Sequence, residues 1–178
     1  MLRFIGRLLI AFCLFANAYA CLNSYSSDEF QFILDGHRRK PPAEELENRE
    51  RELEAAYTQN YSLESANDYA VALVFSGKYS KAIDILKGLE AKYPGQFRTA
   101  ANLGTALELA GDNEKALHWI KEGIKRNPED HGGTEWLHVK ILEAKLAIAQ
   151  NKDWLRTHRV LGVDFGDGYL PNDSSVVI

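Results

Sequence analysis

The residues best equipped for chemistry lie together in His131-Gly-Gly-Thr-Glu135-Trp-Leu-His138. Glu135 and His138 stand three apart and share one face of a helix, and His131 lies one turn before Glu135. Two imidazoles and a carboxylate are ligands that zinc accepts. The spacing is not His-Glu-x-x-His, and two glycines after His131 leave its geometry unset. The preferred reading is therefore structural: His131 sits in a turn, Thr134 caps a helix, and His138 occupies the small-residue side of a helical hairpin. The alternative is a metal-dependent or accessory enzyme using His131, Glu135 and His138. It requires their ligand atoms to converge.

Other motifs carry less. Asp164-Phe165-Gly166 matches a kinase metal-binding tripeptide in letters alone. Asp164, Asp167 and Asp173 lack the alternating oxygen spacing of a calcium loop. Val176-Val177-Ile178 has the apolar end that a strand-adding groove accepts, but reads as an ordinary chain end. No Gly-rich phosphate loop follows a strand pattern, and no Ser/His/Asp set has a supporting motif. No catalytic residue, metal or cofactor is assigned. The formal net charge of -4 in 178 residues leaves no basic excess for a phosphate backbone, so nucleic acid is excluded as a partner. The 46% hydrophobic and 26% charged composition is that of a globular domain.

Residues 1–20 read as a signal peptide: Arg3 and Arg7, an apolar run over 8–15, and Ala18-Tyr19-Ala20 as a cleavage site. The apolar run is too short to span a bilayer. Its removal takes the charge from -4 to -6 and leaves Cys21 as the sole cysteine, so no internal disulfide is expected. The chain is expected to be exported, periplasmic or secreted. Cys21 resembles the lipid-modified position of bacterial lipoproteins, but Ala18 and Tyr19 fit the lipobox of that family poorly. Plain cleavage is preferred to a lipid anchor, which alone would bring a membrane into play.

These residues must be positioned by helices. Residues 21–61 read as a linker plus a charged helix. The linker has a short apolar patch (Phe30, Phe32, Ile33, Leu34) and an Arg38-Arg39-Lys40 run before two prolines. The helix covers 43–57, with glutamates in its first turn and a thin stripe of Leu46, Leu53, Ala56 and Tyr57. The next segment repeats. Shifted by 34 residues, Ala66 falls on Ala100, Tyr69 on Leu103, Ala70 on Gly104 and Leu73 on Leu107. Gly77 then falls on Gly111, Ala82 on Ala116, Leu86 on Ile120 and Pro94 on Pro128. Each unit predicts two antiparallel helices, a glycine turn between them, small residues where they approach, and a proline ending the second.

Such units resemble the tetratricopeptide repeat, most closely in Ala100-Ala-Asn-Leu-Gly-Thr-Ala-Leu, Gly111-Asp-Asn-Glu-Lys-Ala-Leu and Asn127-Pro128. The resemblance covers 62–130; Ala66, Ala100 and Asn113 stand where that family prefers aromatic residues. It implies an all-α fold of helical hairpins stacked in a short right-handed superhelix over 62–161, whose first helices line a groove for a protein or peptide segment. Carried over by position, that groove would comprise Asn67, Val71 and Val74, then Ala101, Asn102, Thr105 and Glu108, then Glu135, Val139 and Leu142. Asn102 stands where peptide-clamping relatives hold a partner's backbone or carboxylate; the basic residues of a carboxylate clamp are not evident. The resemblance implies an adaptor or scaffold rather than an enzyme, with a small or weak partner or a stacked homo-oligomer.

A third hairpin begins at 134–149, with Leu137, Ile141 and Ile148 on one side and Trp136, Val139, Leu142 and Leu146 on the other. A short helix around 154–161 would close it. Glycines and Pro171 forbid a helix over 162–178, which reads as an extended tail lying back across the last hairpin.

Overall fold

Two glycines in left-handed conformation divide the middle of the chain into its hairpins, at Gly77 (φ 75°) and Gly111 (φ 91°). Each ends a helix with the same paired bonds. Gly77 and Lys78 donate backbone N–H groups to the carbonyls of Val74 and Leu73, and Gly111 and Asp112 donate to those of Glu108 and Leu107. This doubled closure satisfies carbonyls that a helix end would otherwise leave bare.

The computed structural model describes residues 22–25 and 42–162. The expected signal peptide, Cys21, the apolar patch, the basic run and the tail from 163 onward lie outside them. Among the described residues all regular structure is helical. In chain order it comprises α1 (Ala43–Gln59), α2 (Leu63–Phe75), α3 (Tyr79–Lys92), α4 (Phe97–Leu109) and α5 (Asn113–Arg126). A 3-10 turn (Asp130–Gly133), α6 (Trp136–Gln150) and α7 (Trp154–Thr157) follow. The helices pack on their neighbours in sequence order, and α2 also touches α4. The starts of α2 and α4, and of α3 and α5, are 34 residues apart, so the sequence period is the structural period. No helix among the described residues is long and apolar enough to cross a membrane.

Burial follows this order. From Ala66 to Phe75, α2 is buried on every side, and α4 is likewise buried from Thr99 to Glu108. Tyr69, Leu73, Leu86, Leu103 and Ile120 are the large residues at the centre. The hairpins close where side chains are smallest: a Cβ added at Gly104 would lie 2.7 Å from Ile120 Cδ1 and 3.0 Å from its backbone nitrogen. Arg126 clasps the two units, donating from Nη1 and Nη2 to the Glu90 carboxylate at 2.8 Å each and from Nη1 to the Gln96 carbonyl at 3.1 Å.

Helix α1 packs by one edge. Leu53 is buried, Leu46 and Tyr57 rest against the core, and Ala56 is exposed. Lys78 reaches buried Glu50 at 2.6 Å, and the Tyr69 hydroxyl donates to Glu54 at 2.5 Å. At the other end the match to expectation is partial. In α6, His138, Leu142 and Ala144 are buried, but Trp136 and Leu137 are about 40% exposed. Only four residues of α7 form where a helix to 161 was expected, too few to cover that side. Nor does Thr134 cap α6: its hydroxyl donates to the His131 carbonyl at 2.9 Å, and the cap position is Glu135.

The two glycine types predict separable effects. Gly104→Ala should destabilise by about 1–2 kcal/mol, overpacking exceeding the gain in helix propensity. Gly111→Ala should cost about 1 kcal/mol through its positive φ. Denaturant titration of G104A/I120V should show less destabilisation than the two single costs combined. Simple additivity would contradict the close approach.

Candidate functional site

The expected groove asparagines are buried completely, and what they hold is this chain's own backbone. Residues 22–25 lie along the face shared by α2 and α4. The Asn102 side chain pairs with both backbone groups of Asn23: Oδ1 accepts its N–H at 2.7 Å, and Nδ2 donates to its carbonyl at 2.8 Å. A side-chain amide used in this way imitates a strand partner and ignores the identity of the residue it holds. Asn102 Nδ2 also donates to Asn67 Oδ1 at 2.8 Å, while Asn67 Nδ2 donates to the Asn23 carbonyl at 2.8 Å.

Two residues further along, the grip repeats on the preceding unit. The Asp68 carboxylate accepts the Tyr25 backbone N–H at 2.7 Å and the Ser24 hydroxyl at 2.9 Å. Asp68 and Asn102 are equivalent positions, 34 residues apart, and they hold backbone amides two residues apart. An extended chain presents alternate amides to the same side, so one helical unit reads every second residue. Side chains add to this. Leu22 is buried in the core, the Asn23 amide donates to Asp130 Oδ2 at 3.0 Å, and the Arg98 guanidinium lies 4.3 Å from the Tyr25 ring centre.

The energetics of this contact are close to balance. Six hydrogen bonds at about 1 kcal/mol each and the burial of Leu22 at about 2 give about 8 kcal/mol. Ordering four backbone residues costs about 4–8 kcal/mol. The grip is of the strength expected for an exchangeable ligand.

The remaining expected groove residues divide. Val71, Val74 and Leu142 are core residues, and Val139 packs against that core. Ala101 is buried, 3.4–3.6 Å from the position a Cβ at Gly123 would take. Thr105 is fully buried, and its hydroxyl has no hydrogen-bond partner among the described residues. Glu108 and Glu135 belong to a line of charge running beside the held segment. His138 Nε2 lies 2.5 Å from Glu108 Oε2, Lys145 Nζ donates to Glu108 Oε1 at 2.5 Å, and His138 Nδ1 is 3.9 Å from Glu135. Burial pushes the Glu108 carboxyl up, but His138 and Lys145 outweigh it and hold it below its ordinary 4.5.

His131, Glu135 and His138 do approach one another, but the closest cluster of ligand atoms is Asp130, His131 and Glu135, within 4.8 Å of one another. His131 Nε2 stands 3.7 Å from both carboxylates, ion-pair separations somewhat wider than the roughly 3.3 Å between ligand atoms around one zinc. The turn that brings them together places His131 at φ 49°, between α5 and two left-handed glycines. His138 faces Glu108 instead.

Sequence reasoning missed Asp68, Arg98, Asp130 and the held segment. Asp68 had a signal: it sits on the register of Asn102 in an otherwise apolar helix. Comparison with protein-family models, curated proteins and solved structures finds no match to the chain in any of the three.

Glu108 predicts an acid sensitivity of defined sign. Its folded-state value is depressed, so its contribution is complete above pH 4.5 and disappears as the pH falls through the lower folded value. Glu108→Gln should lose about 2–4 kcal/mol at pH 7, leaving His138 and Lys145 uncompensated. The gap from the unsubstituted chain should narrow below pH 4.5. A gap constant from neutral to acid pH, measured by denaturant titration, would contradict this.

Proposed function

We propose that the chain is an exported adaptor of the tetratricopeptide type, which holds a protein segment in extended form against α2 and α4 within the cell envelope. The observation that carries this reading is the double hydrogen bond between the Asn102 side chain and the backbone of Asn23, joined by Asn67. Fully buried amides require partners, and an extended backbone supplies them without demanding a particular side chain. The regular hairpins support the repeat assignment, and the match of 34-residue period to helix starts is the strongest part of it. Acidic net charge and the absence of a basic run on the holding residues favour a polypeptide partner over a nucleic acid.

A metal-dependent enzyme is the less supported alternative. Asp130 has one oxygen engaged by Asn23, and His138 is engaged by Glu108, which leaves His131 and Glu135 as the less committed members of the set. The adaptor reading is tested by placing a photo-crosslinking residue at Thr105 in the native envelope fraction. A discrete crosslinked polypeptide should form and should fall at least tenfold with Asn102→Ala. No product above background, or one indifferent to N102A, would count against the reading.

A further inference from the structure

The residues that grip 22–25 are those an adaptor would use on a partner, so this stretch of chain occupies the site in cis. We propose that the site recognises an extended segment of the pattern large aliphatic–Asn–Ser–aromatic, and that residues 22–25 are its built-in competitor. This rests on the adaptor reading and specifies its ligand.

Each position of the pattern has its own contact. The first side chain is enclosed with the core, as Leu22 is at 3% exposure. The second carries an amide that reaches Asp130 while its backbone is held by Asn102 and Asn67. The third donates a hydroxyl to Asp68, and the fourth offers a ring face to Arg98. Because Asn102 and Asp68 take alternate backbone amides, the ligand must be extended and must run from the second helical unit towards the first. A helical ligand has its own amides engaged and presents none at this interval. Asn102, Asn67 and Asp68 are all 5% exposed or less, so an empty site would leave buried polar groups needing water. Exchange of one extended segment for another avoids that state. A segment joined through the same chain competes at an effective concentration on the order of millimolar, which lowers apparent affinity for an external segment without blocking it.

The test uses the full chain and a fluorescein-labelled peptide, Ala-Leu-Asn-Ser-Tyr-Ser, read by anisotropy beside a scrambled control. The unsubstituted chain should bind the peptide weakly. Leu22→Ala with Tyr25→Ala weakens the cis segment without altering the residues that grip it, and should tighten peptide binding about tenfold. Adding Asn102→Ala should remove it. Tyr25→Ala alone is the milder variant if the double one fails to unfold cooperatively, and should give a smaller gain in the same direction. Equal affinity in the unsubstituted and weakened chains would overturn cis competition, as would peptide binding to none of the folded variants. If the Thr105 crosslink to a partner persists in either case, only this proposal fails; if that is lost as well, the adaptor reading fails with it.

Discussion

Two buried asparagine amides set the terms for the rest of this molecule. Asn67 and Asn102 have no exposed surface, lie on successive inner helices and hydrogen-bond to each other. That pair leaves one Asn102 N–H and the Asn102 oxygen, together with Asn67 N–H capacity, still to be satisfied inside the protein. In hydrocarbon-like surroundings each lost bond would cost on the order of 1–3 kcal/mol, comparable with a sizeable share of a small domain's stability. The backbone of Asn23 fills the requirement. An apolar pair would pack the same helices with less risk, so the amides make sense where a polypeptide backbone is the intended neighbour.

The scaffold keeps those amides aligned. The doubled glycine closures after α2 and α4 give both hairpins one geometry, and the Gly104 contact with α5 sets how near that helix can come. Arg126 on Glu90 and Gln96 fixes one hairpin against the next. With the repeat held rigid, positions 68 and 102 meet an extended chain at matched intervals. The buried Glu108, with His138 and Lys145, ties α6 to α4 beside the same face.

The period, the glycine turns, the terminating prolines and the small-residue contacts were legible because each is a local rule written twice, 34 residues apart. Asn102 was legible through its place in the resemblance. The held segment was not, since four extended residues have no periodicity and their contacts reach 43 to 107 positions along the chain. Asp68 was overlooked because an acid in an apolar helix carries no label, although its register with Asn102 marks it in hindsight. The third hairpin was overread: its apolar residues suggested cover on two sides, but α7 is a single turn and Trp136 stays exposed. Thr134 has cap chemistry, yet the left-handed His131 brings that residue's carbonyl within reach of the hydroxyl first.

The central claim is that Asn102 and its neighbours hold an extended backbone. Site-resolved amide hydrogen exchange at Asn23 and Tyr25 tests it most directly, because their N–H groups are donated to Asn102 and Asp68. The account predicts exchange slowed at least tenfold at both amides, with Asn102→Ala restoring fast exchange at Asn23 while the amides of α2 and α3 stay protected. Exchange at the unstructured rate at both positions in the unsubstituted chain would contradict it.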